Sequence, residues 1–165
     1  MKKLLLASAA LSCLISPAAA NEGDLISFSL GYFDAFDDNG AMDMRLEYRP
    51  NSVVFIENLK PWAGLELTSD SSIWIGGGLL YDWNFKDNWY LTPSVGAGLY
   101  AQGSSDKDLG SVLEFRSQLE ISYEFENTSR MALGVSHISN GGFADENPGA
   151  EVVGLYWYVP LDSIF

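Results

Sequence analysis

His137, the only histidine in the chain, stands two residues ahead of Ser139 and, further on, ahead of Glu151. In an extended chain, residues i and i+2 share a face about 7 Å apart, so the imidazole can reach the hydroxyl. A hairpin whose loop is centred near Ala144 would bring Glu151 directly across from His137, with Cβ atoms about 5 Å apart. Serine, histidine and carboxylate in a line are the parts of nucleophilic acyl transfer. The imidazole takes the serine proton, and the carboxylate fixes the ring tautomer and stabilises the imidazolium. The G-x-S-x-G elbow of soluble α/β-hydrolases is absent, so such a triad has to be built on strands.

The segments carrying these residues alternate with period two, which is the strand signal. Met131, Leu133 and Val135 share a face with His137 and Ser139, and Val153, Leu155, Trp157 and Val159 share one with Glu151. Three polar groups therefore lie on an otherwise apolar face, where they cost free energy unless they pair. The same period recurs in Met42, Met44, Leu46 and Tyr48 against Asp43, Arg45, Glu47 and Arg49. It recurs at greater length in Leu113 to Phe125 against Glu114, Arg116, Gln118, Glu120, Ser122 and Glu124.

Eight strands are predicted, near 25–33, 41–49, 59–68, 72–83, 89–101, 111–125, 130–140 and 151–159, separated by turn-forming Asp, Asn, Ser and Gly. Several match the roughly 9–11 residues that a tilted strand needs to cross a bilayer, longer than the five or six usual in soluble sheets. With one face apolar and the other charged, the pattern reads as all-β: an eight-stranded antiparallel transmembrane β-barrel with a polar lumen. A soluble lipocalin-type barrel would alternate similarly; strand length and the paired charges of the polar face favour the membrane form. Eight strands leave an interior that side chains fill, so Arg45, Glu47, Glu114, Arg116 and Glu120 read as salt-linked packing and not as a pore. Tyr48, Trp62, Tyr81, Trp83, Trp89 and Tyr90, near strand ends, would supply an interfacial aromatic girdle. Gly76-Gly77-Gly78 marks a bend or close backbone approach. Pro160 is expected to interrupt the last strand ahead of the C-terminal aromatic Phe165, which resembles the assembly signal of bacterial outer-membrane proteins.

A length of 165 residues fits one domain. The net charge of −13 excludes binding to a phosphate backbone, hence no nucleic-acid partner. One cysteine and one histidine exclude an intrachain disulfide and Cys/His zinc, and neither metal nor cofactor is expected. Met1–Ala20 reads as a secretory signal peptide: Lys2 and Lys3, an apolar stretch from Leu4 to Ser16, then Ala18-Ala19-Ala20 for cleavage. The barrel domain is then 21–165. A barrel with its C-terminus in the periplasm puts the last hairpin loop, Gly141 to Gly149, outside the cell. His137, Ser139 and Glu151 would then face the outer leaflet of the outer membrane near the cell surface.

The run His137-Ile138-Ser139-Asn140-Gly141-Gly142, followed by Asn147-Pro148-Gly149-Ala150-Glu151, resembles the signature of the outer-membrane lipid A 3-O-deacylases, the PagL type. Pro61-Trp62-Ala63-Gly64-Leu65-Glu66-Leu67 and the eight-strand layout add to it. The resemblance implies a serine esterase that hydrolyses the 3-linked hydroxyacyl ester of lipid A, the lipid anchor of the lipopolysaccharide in the outer leaflet. It implies Ser139 as nucleophile, His137 as base and Glu151 as orienting acid. It also implies Asn140 and the backbone N–H of Gly142 as the oxyanion hole, with Asn147 in support. A homodimer is compatible with the sequence and not dictated by it. The competing class is a non-enzymatic small outer-membrane barrel, an adhesin or structural protein. The face occupied by His137 and Ser139, and the position of Glu151 beside them, separates the two.

Overall fold

The computed structural model describes residues 23–38 and 40–164; the expected signal peptide and Phe165 lie outside the described residues. Strands β1 (Leu25–Phe33), β2 (Ala41–Arg49), β3 (Leu59–Thr68), β4 (Ile73–Tyr81), β5 (Trp83–Lys86), β6 (Trp89–Ala101), β7 (Leu113–Glu124), β8 (Arg130–Ser139) and β9 (Ala150–Pro160) follow in chain order. Each pairs antiparallel with its neighbours, β1 with β9 and β4 with β6, so the sheet closes. β4 and β5 are two parts of one stave that both pair with β6. The molecule is thus a closed eight-stranded antiparallel barrel, in which the short β5 alone is paired on one side only.

The expected strand 72–83 is broken at Asp82. Its backbone N–H donates to Asn58 O, and its carboxylate turns inward to accept from Arg130 and Thr92. The last strand stops at Pro160, as its sequence position suggests. β9 extends as far as Pro160, which pairs with Leu25 and ends the strand, and a turn of 3-10 helix (Leu161–Ser163) follows. At a strand end the missing N–H removes no ladder bond that matters.

Alternation decides what fills the barrel. Asp43, Arg45, Glu47 and Arg49 of β2 and Glu114, Arg116, Gln118 and Glu120 of β7 are buried inside. Arg45 lies 3.1 Å from Asp43 and 3.0 Å from Glu66, and donates to Gln118, Tyr156 and Ser136. Arg49 pairs with Glu47 and Glu120, and Arg116 with Glu47. Trp62 belongs to this interior and not to the girdle, because β3 turns it to the same side as Glu66 and Thr68. Its ring stacks on Trp74 with centroids 5.9 Å apart, and the Arg116 guanidinium lies 4.1 Å from its centre. The glycines make this fit: a Cβ on Gly96 would lie 2.5 Å from Trp62, and one on Gly98 2.4 Å from Trp74.

The outside is apolar, with Phe28, Leu30, Met44, Leu119, Leu133 and Leu155 all exposed. Trp89, Tyr123, Phe125 and Trp157 form a chain of ring contacts at one end of the staves. Segments 34–40, 69–72, 102–112 and 140–149 join strands at the other end. Among the described residues no helix is long and apolar enough to cross a membrane.

Candidate active site

β8 and β9 are in the register that sets His137 opposite Glu151. Parity turns both outward, together with Val135 and Val153, while Ser136, Ile138 and Val152 face in. The two side chains are 46% and 39% exposed, and His137 Nδ1 lies 2.9 Å from Glu151 Oε1. Ser139, the last residue of β8, follows on the same outer face, half-buried and in register with Phe115 of β7. Among the described residues no side-chain hydrogen bond joins Ser139 to His137. With Nδ1 held by the carboxylate, Nε2 is the ring nitrogen left to meet a hydroxyl.

Gly149 makes the packing around this ring possible. Its φ of +66° lies in the left-handed region, and a Cβ there would stand 2.7 Å from His137 Cε1. Any side chain would be strained and would also strike the imidazole. The Pro148-Gly149 step therefore brings bare backbone up to the ring.

Asn140 departs from the expectation drawn from the resemblance. The parity that turns Ser139 out turns Asn140 in, and only 1% of it is exposed. Its Nδ2 donates to Leu109 O at 2.8 Å and Glu146 O at 2.7 Å, so both amide hydrogens are committed. Its Oδ1 accepts the Gly142 N–H at 2.9 Å. Asn140 is thus the tie of the 140–149 loop and has no donor to offer an oxyanion, and the Gly142 N–H is itself committed to Asn140. Asn147 is arranged in the opposite sense. It is exposed, its Oδ1 accepts the backbone N–H of Asn140 at 3.0 Å, and its Nδ2 has no partner among the described residues. Asn140 directly follows Ser139, so Asn147 is tied to the backbone one residue beyond the candidate nucleophile.

Other contributors escape a reading by period. Leu109 lies far off in sequence and is fully buried under the loop; Phe143 is exposed and packs on Phe115 with centroids 5.7 Å apart, flanking Ser139. Gly149 leaves only a turn signature. Among the described residues no group of three His, Cys, Asp or Glu side chains is placed to hold a metal ion. The recesses lined by Asn51, Lys60 and Arg130 open at the opposite end of the staves. The candidate triad is therefore a feature of the outer wall, open sideways.

The sequence profile of the lipid A 3-O-deacylase (PagL) family matches residues 42–160, a span that holds every residue of this site. The lipid A deacylase PagL of Bordetella bronchiseptica is 27% identical over 89 residues, 53% of this chain and 50% of that protein. The match thus spans half the length of that relative. The crystal structure of the outer-membrane enzyme PagL superposes with a TM-score of 0.64 at 19% identity, covering 83% of this chain and 99% of that one. Neisserial surface protein A gives a TM-score of 0.65 at 12% identity, covering 84% and 97%. At these identities the two structures share the fold, and the chemistry has to be argued from the site.

Proposed function

The chain belongs to the lipid A 3-O-deacylase (PagL) family of outer-membrane β-barrels, and from that premise we propose that it is a serine esterase acting on the 3-linked hydroxyacyl ester of lipid A. The observation that carries the reading is the His137–Glu151 pair, 2.9 Å apart on a face otherwise given to lipid, with Ser139 on the same face. An imidazole and a carboxylate there cost free energy that a merely structural barrel has no reason to bear.

Ser139 Oγ attacks the ester carbonyl while His137 Nε2 takes its proton. Glu151, bound to Nδ1–H, holds the ring in the tautomer that leaves Nε2 basic and stabilises the imidazolium that forms. The proton then passes to the departing 3-oxygen of the sugar, leaving an acyl-serine. Water, deprotonated by the same histidine, releases the 3-hydroxy fatty acid and restores Ser139. The developing oxyanion takes a hydrogen bond from Asn147 Nδ2, and from the Gly142 N–H once that group exchanges its bond to Asn140 Oδ1. Glu146, Asn140 and Leu109 hold the loop that presents these donors.

An outward-facing triad at the loop end of the staves suits a substrate that is itself part of the leaflet and arrives by lateral diffusion. Both termini of the barrel lie at the opposite end, which supports assigning the triad end to the outer leaflet. Treating the purified, folded barrel with a serine-directed fluorophosphonate tests the mechanism. Adduct on Ser139 in the wild type, absent from Ser139→Ala and strongly slowed in His137→Ala, is the expected result. Equal labelling in all three would refute it.

A further inference from the structure

Lys107 is the only basic residue in the four segments that join strands at the triad end, against eight acidic ones. It is not left to solvent. Only 6% of its side chain is exposed, and Nζ lies 2.7 Å from Oδ1 of Asp34, whose side chain is 1% exposed. A more distant contact, 3.5 Å, reaches the exposed Asp37. The carboxyl of Asp37 is held below its usual range, first by the Asp38 N–H and then by the Lys107 charge. The backbone of Lys107 is pinned independently, since Tyr100 Oη donates to its carbonyl and its N–H donates to Ser105 Oγ.

This ion pair touches both sides of the triad through the chain. Asp34 is the first residue after β1, in the left-handed region with φ +54°. The next residue, Ala35, donates its N–H to the carbonyl of Glu151 at 2.9 Å, one step beyond the Phe33–Val152 end of the β1–β9 ladder. Two residues beyond Lys107, Leu109 O receives the Asn140 side chain, which follows Ser139. A Cβ on Gly110 would stand 3.1 Å from that same Asn140 amide, so the two loops are in close contact.

We propose that Lys107 is a positioning residue for the esterase: its ion pair with Asp34 latches segment 34–38 so that Ala35 fixes the backbone of Glu151 beside His137. The proposal rests on the reading of His137, Ser139 and Glu151 given above. Without the ammonium, the Asp34 carboxylate is buried and uncompensated, and at a pH where it stays ionised that state is relieved when the segment moves outward into water. That motion withdraws the Ala35 N–H and frees the end of β9 carrying Glu151. Displacements of about 1 Å at a catalytic group cost roughly a hundredfold in rate, while lipid A binding along the outer wall does not depend on Lys107.

The test compares wild type, Lys107→Met, Lys107→Gln and Lys107→Arg as folded barrels in lipid A-containing micelles. It reads kcat and KM for release of 3-hydroxy fatty acid, together with amide hydrogen exchange at Ala35. The expected result is a kcat lowered about ten- to hundredfold in Met and Gln at an unchanged KM, with faster exchange at Ala35. Arg should restore both readouts to within a few-fold of wild type. Unchanged kcat in Met and Gln overturns the positioning role, whatever the exchange. If the wild type itself releases no fatty acid, the esterase reading fails, and Ala35 exchange alone judges the latch: wild-type protection in Met and Gln overturns it.

Discussion

Asn140→Ala separates a loop tie from a transition-state donor. The side chain makes three hydrogen bonds, donating to Leu109 O and Glu146 O and accepting from Gly142 N, in a position that is 1% exposed. At about 1 kcal/mol net for each bond, its loss should weaken the closed 140–149 loop by about 3 kcal/mol. At about 1.4 kcal/mol per tenfold, that corresponds to roughly a hundredfold rise in the open population. The sensitive assay is amide exchange at Gly142, whose N–H loses its acceptor, measured beside kcat on the same folded barrel. The account expects exchange at Gly142 to rise steeply, with lost activity following from the open loop. Asn140→Asp should behave no better, since it keeps the acceptor for Gly142 but loses both donations. Were Asn140→Ala to lower kcat by about 10²–10³ while Gly142 stayed as protected as in the wild type, Asn140 would be a direct donor to the oxyanion and the inward tie would be refuted.

Three further perturbations probe other parts of the account. Glu151→Gln keeps the volume but can present an N–H to Nδ1, so kcat should fall about 10³–10⁴-fold with the barrel intact; steady-state release within threefold of wild type would contradict the role of Glu151. Asn147→Ala should lower kcat about 10²–10³-fold with little change in KM, because its Nδ2 is the uncommitted donor on the loop that follows Ser139; an effect confined to KM would remove it from the oxyanion site. Arg45→Met takes from Asp43 and Glu66 the cation they share, leaving Glu66 only the more distant Arg116 at 3.7 Å, and denaturant unfolding should show a loss of about 3–5 kcal/mol. A loss below about 1 kcal/mol would mean that the lumen network contributes little.

Much of the barrel is legible because a strand's period is two and its two faces meet unlike surroundings. Arg45, Glu47, Arg116 and Glu120 announce the lumen, Met131, Leu133 and Val135 the lipid face, and parity alone puts His137, Ser139 and Glu151 outside. Parity also puts Asn140 inside, beside Ile138. The family motif points to an oxyanion donor at this position, and the side chain follows the parity, donating inward to Leu109 O and Glu146 O. By residue type Trp62 resembles an interfacial aromatic, yet its place in the alternation of β3 turns it to Glu66 and Thr68 in the lumen. Pro160 marks the end of the last strand, where a proline removes no needed donor. Contacts between loops distant in sequence, Lys107 with Asp34 and Leu109 with Asn140, leave no period at all. The one trace of the former is that Lys107 stands as a single cation among acidic loop residues.

The most direct test of the central claim is mass spectrometry of lipid A extracted from cells expressing the wild type or Ser139→Ala, each verified as a folded outer-membrane barrel. The account predicts that the wild type alone yields lipid A lighter by one 3-hydroxyacyl group, with the matching free fatty acid released. Lipid A of unchanged mass in wild-type cells, or the same lighter species in Ser139→Ala, would contradict it.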